Sequence, residues 1–525
     1  METRTADEPA TLTDRVAPPI AVAPYRTSRG GADRDAIPVR HSSQGSRIVL
    51  GSLFLTLALL PGQAEAADAE AANPARPNIL FIAVDDLRPE IACFGAEGMH
   101  TPNLDRLAAR GVRFERAYCN VPVCGASRAS LMTGVRPAFG RFRSYDCYAE
   151  EEVPGAIPLH THLQSHGYVT AAAGKIFHNG DDHAGGWSHP HWRPKRPQYA
   201  TKAAQRAKAT SEKAKKRGPA WEAGDVRDEF YADGALAQWG SRRVGELSAA
   251  SEPYFLAIGF YKPHLPFVAP QRDYDRYEPT DPLNYFVPPS VPSAAVHNSG
   301  ELRSYAGIPM KGLVPLSQAR DLVRGYHACV SYIDRQVGHL LDAVDASGEA
   351  DRTIIVLWGD HGWNLGEHSM WCKHCCFETS MRTPLFVSAP QLGGPTNAAS
   401  QSLVEFTDIY PTLCELAAVP PPNGTNPQAA VEGQLEGDSL VPLLRDPSAT
   451  VRDWAIGRYG LGDTLRTDRY RYTEYRNRRG DLSGTMLYDH ENDPDELKNL
   501  AGDGEYAEIV AELARTLDQH KGRDN

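Results

Sequence analysis

The sequence predicts an α/β fold, with a mainly parallel central sheet flanked by helices and a smaller C-terminal α+β subdomain. Three observations carry this. Unbroken apolar runs of strand length recur along the chain, as strands buried on both faces should read. They alternate with stretches of helical periodicity, which argues for crossover connections within one parallel sheet. After about residue 450 the alternation gives way to short strands separated by turns. Size and composition agree: 525 residues, 41% apolar and 23% charged, describe a soluble globular chain with room for more than one domain.

Taken in order, residues 1–46 are polar, Pro-rich and aperiodic, and are expected to be a disordered leader. Arg47 then precedes an uncharged run, Ile48 to Leu60, that is short for a bilayer span. Ala64-Glu65-Ala66 follows as a small-residue cleavage pattern. Residues 47–66 therefore read as an export signal to the periplasm or the exterior, with a membrane-anchoring helix as the alternative. Residues 67–450 would form the catalytic domain and 451–525 the C-terminal subdomain.

Within the catalytic domain, Pro77 to Val84 is the first buried strand, and it ends abruptly in Asp85-Asp86. Two adjacent carboxylates at the end of a central strand are costly without a cation, so a hard divalent metal is their natural partner. Thr101-Pro102 opens a helix, with Thr101 as expected N-cap and Gly111 as the stop. Phe114 to Cys119 reads as a short strand. The pentapeptide Cys124-Gly125-Ala126-Ser127-Arg128 leads into a short helix closed by Gly134. A Cys, a small residue, Ala, Ser and Arg form a signal for oxidising the Cys to formylglycine, an aldehyde that hydrates to a gem-diol. A helix N-terminus there would favour an anion.

Leu159 to His166 is expected to be helical, and Tyr168 to Ala173 a strand running into Lys175 and His178. The Lys-, Arg- and Pro-rich stretch from about 190 to 220 reads as a solvated surface insertion. Tyr254 to Phe260 is a buried strand followed by Lys262 and His264, and residues 270–315 read as Pro-rich loop. Ser317 to Ser347 keeps helical spacing at Leu322, Tyr326, Val330, Ile333, Val337, Leu340 and Val344. Thr353 to Trp358 is a strand ending in Asp360-His361, with Trp363 and Lys373 downstream. Pro384 to Ser388 is a strand and Thr407 to Ala418 a helix. Beyond 450, Tyr470 to Tyr475 is strand-like and Glu505 to Leu517 closes the chain as a helix.

Asp85, Asp86, Lys175, His178, Lys262, His264, Asp360 and His361 thus all lie just past predicted strand ends, where parallel sheets bind their ligands. The net charge of −11 offers nothing to offset phosphate repulsion, so nucleic acid is not an expected partner, and no stable membrane partner is expected either. An anionic substrate stays open, since it needs only a local cluster of cations. Of the nine cysteines, Cys372, Cys375 and Cys376 flank Lys373 and His374, but no second Cys/His pair stands at zinc spacing.

The stretches NILFIAVDDLRPEIACFG, TPNLDRLA, VCGASRASLMTGVRP, GYVTAAAGKIFH, YKPHLPF, GDHGWNLGEH and LYDHENDPDELKNL resemble, in order, those of the type I sulfatases, an alkaline-phosphatase-like family. Within that family the resemblance is to its iduronate-2-sulfatase branch. It implies calcium held by Asp85, Asp86, Asp360, His361 and the modified Cys124. It implies sulfate binding by Lys175, Lys262, His264 and Lys373, with Arg128 holding the formylglycine and Trp363 retained for substrate. In the implied chemistry a hydroxyl of the hydrated aldehyde attacks sulfur and His264 or Lys373 protonates the leaving alcohol. His178 then takes a proton from the second hydroxyl as sulfate is expelled. A sulfated carbohydrate and a formylglycine-generating enzyme are the implied partners. Three departures stand out. Ala126 replaces the usual Pro, Arg143 stands where the iduronate enzyme has an aromatic residue, and Cys375 and Cys376 replace polar residues. Two other readings share the motifs: a phosphodiester or phosphonate monoester hydrolase, and a non-catalytic sugar-binding descendant.

Overall fold

The computed structural model describes residues 76–424 and 433–521. The expected leader (residues 1–46) and expected export signal (residues 47–66) lie outside the described residues, and among the described residues no helix is long and apolar enough to cross a membrane.

Seven strands form the central sheet: β1 (Asn78–Asp85), β2 (Val112–Tyr118), β3 (Val169–Gly174), β4 (Tyr254–Pro263), β5 (Thr353–Gly359), β6 (Arg382–Ser388) and β7 (Ala398–Glu405). Their order across the sheet is β7-β2-β6-β5-β1-β4-β3. β1 runs parallel to both β4 and β5, and β3 runs parallel to β4. β6 is antiparallel to its neighbours β5 and β2, and β7 runs parallel to β2. The expected mainly parallel sheet is therefore present, with β6 reversed. β7 carries Ser400, Gln401 and Ser402 in place of an apolar run, which hid it from the sequence reading.

Every residue of β1 is buried, and alternate side chains feed two cores. Leu80, Ile82 and Val84 join the core on one face, and Ile79, Phe81 and Ala83 that on the other. The first face is covered by α1 (Pro102–Ala108), α5 (Ala232–Ser248) and α6 (Leu316–Ala346). The second is covered by α2 (Cys124–Thr133), α3 (Leu159–Ser165) and α7 (Ile409–Leu416); α4 (Lys202–Lys213) joins the first core only through Ala204. All seven apolar positions read on the long helix are fully buried. The Thr101 hydroxyl does not cap α1; it accepts from the Ala92 amide at 2.9 Å. Asp334 of α6 takes over that task, its carboxylate accepting from the amides of Asn103 and Leu104 at 2.9 and 2.7 Å.

The basic stretch from 190 to 220 is not a simple solvated face. It contains α4, and Arg217–Pro219 pairs in parallel with Tyr305–Ala306. The 270–315 stretch likewise holds short helices at Gln271–Tyr274 and Gly300–Arg303. The C-terminal subdomain is an antiparallel sheet of β8 (Trp454–Tyr459), β9 (Gly462–Thr467), β10 (Tyr470–Arg476) and β11 (Leu482–Asp489), packed by α8 (Ala507–His520) through Leu513 and Leu517. Buried Arg471 ties it to the larger sheet's side by pairing with Glu378, and pairs with Glu496 inside the subdomain.

Candidate active site

Four neighbouring parallel strands, β3, β4, β1 and β5, end at the same edge of the sheet, and their ends carry the predicted residues. Asp85 is the last residue of β1, Lys175 follows β3, Lys262 and His264 close β4, and Asp360 follows β5. Asp86 takes a left-handed φ of 62°, an unfavourable conformation for a residue with a side chain. It is held there by its amide donating to Asp360 Oδ1 at 2.9 Å and by the Tyr326 hydroxyl donating to its carbonyl at 2.8 Å.

Cys124 opens α2, after an apolar Val123 that supplies no side-chain cap, and Gly134 closes the helix with φ 70°. The Cys124 sulfur lies 3.2 Å from His361 Nε2 and 3.8 Å from Asp86 Oδ1. His361 Nδ1 donates to the Gly362 carbonyl at 2.9 Å, which leaves the Nε2 lone pair aimed at Cys124 and, at 3.3 Å, at Asp86. Arg128 is fully buried and does not reach out toward a ligand. Its Nε donates to Asp360 Oδ2 at 2.8 Å, its Nη2 to Asp85 Oδ1 at 3.3 Å, and its Nη1 to the carbonyls of Lys175 and Ile176. It aligns the two carboxylates on either side of Cys124.

The cations surround this floor. Lys175 Nζ sits 2.7 Å from Asp85, and Lys373 Nζ sits 3.2 Å from Asp86 and 4.8 Å above the Trp363 ring. Cys372 and His374, on either side of Lys373, both adopt positive φ, 75° and 82°, so Lys373 is presented by a strained turn. Trp363 itself is only 1% exposed and supports Lys373 from beneath rather than facing the cleft. Lys262 Nζ donates to the carbonyls of His264 and Pro266, the latter at 2.8 Å, and so holds the turn that carries His264. His264 Nδ1 donates to the Leu265 carbonyl at 2.6 Å, and Nε2 faces Glu301 at 2.9 Å. His178 lines the same cleft, its ring 5.7 Å from that of Tyr145.

Glu301 was not legible in the sequence. It comes from the Pro-rich stretch, yet its carboxylate bridges His264 Nε2 and Lys373 Nζ, each at 2.9 Å. Tyr145 was missed as well: from the 138–150 loop it lines the cleft, whereas Arg143 stacks on Phe139.

The electrostatics divide the floor. Burial acts to raise Asp85, but Lys175, His264 and Arg128 hold it well below the usual carboxylate range. Burial pushes Asp86 up to about 7 even with Lys373 beside it. The floor is therefore short of positive charge at Asp86. Possible ligand atoms gather there in two groups that share Cys124, one with Asp85, Asp86 and His264 and the other with Asp360 and His361, and their carboxylates fit a hard divalent cation. Burial, then Asp85, pushes the Cys124 thiol up to about 12, which makes it a poor thiolate nucleophile as it stands. Burial, then Lys175, lowers His178 to about 4, so its imidazole is neutral near pH 7. None of the nine cysteines, all of them among the described residues, is joined in a disulfide. The cleft above the floor has a volume of about 920 Å³, ample for a saccharide unit.

Comparison with known proteins agrees with this geometry. The sulfatase family profile matches residues 77–419, and a profile for the C-terminal region of N-sulphoglucosamine sulphohydrolase matches residues 366–523. Iduronate 2-sulfatase of Mus musculus is 29% identical, covering 89% of this chain and 97% of its own. A sulfatase of Formosa agariphila is 31% identical over 84% of this chain and 86% of its own. Among solved structures, one in complex with its substrate D-glucosamine-2-N,6-O-disulfate superposes with a TM-score of 0.66 at 23% identity, covering 85% of this chain and 97% of its own. Phosphonate monoester hydrolase of Agrobacterium radiobacter superposes with a TM-score of 0.67 at 22% identity, covering 85% and 95%; both likenesses speak to the fold.

Proposed function

The chain belongs to the sulfatase family of sulfuric ester hydrolases, and on that premise we propose that it removes sulfate from a sulfated carbohydrate, with a 2-sulfated uronic acid as the favoured unit. One observation carries the reading. The Cys124 side chain is shared by two groups of possible metal ligands, Asp85, Asp86 and His264 on one side and Asp360 and His361 on the other, beside the cations Lys175 and Lys373 at the floor of a saccharide-sized cleft.

Water and the sulfate ester give the alcohol and free sulfate. Lys175 Nζ, Lys373 Nζ and His264 Nε2 bind the sulfate oxygens and offset the charge that develops on them. Glu301 and Trp363 keep Lys373 in place, and Lys262 keeps the His264 turn in place. The proton for the departing sugar oxygen comes from His264 Nε2 or Lys373 Nζ. The neutral imidazole of His178 takes up the proton released when sulfate leaves. Calcium, held by Asp85, Asp86, Asp360, His361 and residue 124, would supply Lewis-acid charge for the sulfate oxygens. Conversion of Cys124 to formylglycine would supply an oxygen nucleophile with a second hydroxyl, in place of a buried thiol at about 12. Arg128 fixes Asp85 and Asp360 relative to that residue. We infer that the protein is exported, from the signal-like segment before Ala67, and that it depends on a formylglycine-generating enzyme for maturation. Signal processing would show as a periplasmic or extracellular product beginning near Ala67.

The test is sulfate release from 2-sulfated uronate oligosaccharides, beside an aryl sulfate and an aryl phosphodiester. The parent should release sulfate and Cys124→Ala should not. A much higher kcat/KM on the phosphodiester would replace sulfate esters with phosphodiesters as the substrate class.

A further inference from the structure

We propose that the basic wall contributed by residues 193–217 is a second anion subsite, which takes a further sulfate or carboxylate group of the same saccharide while the scissile sulfate lies between Lys175 and Lys373. The proposal rests on the sulfatase reading and assigns named side chains to a negative charge of the saccharide other than the scissile sulfate.

The chain as a whole has a net charge of −11, yet Arg193, Arg196, Lys208 and Arg217 line the same cleft as Cys124 and Lys373. Arg193 Nη2 donates to the carbonyls of Phe177 and His178 at 3.1 and 3.3 Å, which anchors this guanidinium beside His178. Arg217 lies over the Tyr305 ring at 5.4 Å, with Nη1 donating to the Tyr305 hydroxyl at 3.3 Å. Lys208 makes a long surface pair with Glu212 at 3.8 Å. Among the described residues no carboxylate lies within ion-pair reach of Arg193, Arg196 or Arg217. Glu301 acts on Arg217 only from beyond ion-pair distance, and these cationic side chains face the cleft that a ligand enters.

The wall is also built rather than draped over the surface. Glu222 accepts from the Ala200 and Thr201 amides at 2.7 and 2.9 Å and from the Thr201 hydroxyl at 2.6 Å. The Tyr199 hydroxyl donates to the Pro219 carbonyl at 2.6 Å, and Arg217–Pro219 pairs with Tyr305–Ala306, next to the short helix that carries Glu301. The insertion is thus fastened to the element that touches both His264 and Lys373. Guanidinium groups present paired donors that match sulfate and carboxylate oxygens. A cleft lined by one sign of charge concentrates such anions. Since the wall stands away from the reacting sulfur, its contribution is to binding and should appear in KM.

The experiment uses the mature full-length enzyme and three substrates: a monosulfated sugar with no other charge, a monosulfated disaccharide with a uronate carboxylate, and a disulfated disaccharide. For the double variant Arg196→Gln/Arg217→Gln, KM on at least one of the two dianionic substrates should rise about tenfold, the worth of two partly exposed charge contacts, with kcat unchanged within about twofold. KM on the monosulfated sugar with no other charge should stay as in the parent. Whichever dianionic substrate loses more names the oxyanion, carboxylate or sulfate. If the double variant does not fold, Arg196→Gln alone should raise the same KM about threefold. No change on either dianionic substrate, or an equal loss on all three, overturns the subsite while leaving the sulfatase reading intact. A parent that releases sulfate from none of the three overturns the sulfatase reading itself, and the subsite with it.

Discussion

Gly125 follows Cys124 directly, and the backbone of Tyr145 crosses it at very close range. A Cβ at 125 would stand 2.1 Å from the Tyr145 carbonyl oxygen, 2.6 Å from its carbonyl carbon and 2.9 Å from its Cα. All three atoms are backbone, so no side-chain rotation relieves the overlap. Either the segment around Tyr145 or the first turn of α2 must retreat by more than an ångström to reach ordinary contact. Overpacking of this kind costs about 1–3 kcal/mol. The retreat displaces either Cys124 or the Tyr145 ring, which lies tilted against that of His178. Misplacing a reacting group by about 1 Å lowers rates by roughly a hundredfold. Gly125→Ala should therefore lower kcat/KM for sulfate release about a hundredfold and reduce the thermal midpoint by a few degrees. The assay is steady-state sulfate release, run with mass analysis of the peptide around residue 124 from the same preparation. A loss of rate with the aldehyde still present isolates geometry from maturation. Wild-type kcat/KM and an unchanged midpoint would refute the reasoning, because Tyr145 would then not be seated against the start of α2.

Arg128→Met removes the guanidinium shared by Asp85 and Asp360 and should cost about 3–5 kcal/mol in urea unfolding, the usual loss when a buried pair is broken. Arg128→Lys keeps the charge but cannot fork between two carboxylates, so it should recover less than half of that; a near-neutral Arg128→Met would contradict the arrangement. Chelation should abolish sulfate release and added calcium should restore it, with Asp360→Asn needing at least about tenfold more calcium; full activity in metal-free buffer would remove the cation from the account. Stability should fall in acid. Burial holds His160 at about 3, His191 at about 4 and His297 at about 4, against an ordinary value of 6.5. Between those values the unfolded chain binds protons that the native chain does not, so their contribution is intact above about pH 6.5 and is lost as pH drops toward 4. The slope should approach about 1.4 kcal/mol per pH unit for each histidine, and a flat profile over that range would show that these rings are not held neutral.

The sequence was most legible where a strand is buried on both faces and then stops at a charge. Asp85 and Asp86 after β1, Lys175 after β3, His264 after β4 and Asp360 after β5 are each marked by that change of chemistry, and the parallel strands bring them together. Residues that depend on distant partners left no such mark. Glu301 sits among prolines with no periodicity, and its role exists only because the chain returns it to His264 and Lys373. Arg193 and Arg217 read as solvated because a run of charges carries no direction in a sequence; pairing of Arg217–Pro219 with Tyr305–Ala306 turns that run toward the cleft. Trp363 reads as a substrate contact from its motif, while its burial beneath Lys373 makes it a support. The Thr101 hydroxyl went to Ala92 because Asp334, more than two hundred residues later, already serves the α1 amides.

The most direct test is the state of residue 124 in the active protein. Mass spectrometry of the tryptic peptide Ala117 to Arg128, from protein purified out of its native host, should show an aldehyde at Cys124 and an unmodified thiol at Cys119, with sulfate release proportional to the converted fraction. Full sulfate release from protein that carries a thiol at both positions would contradict the account.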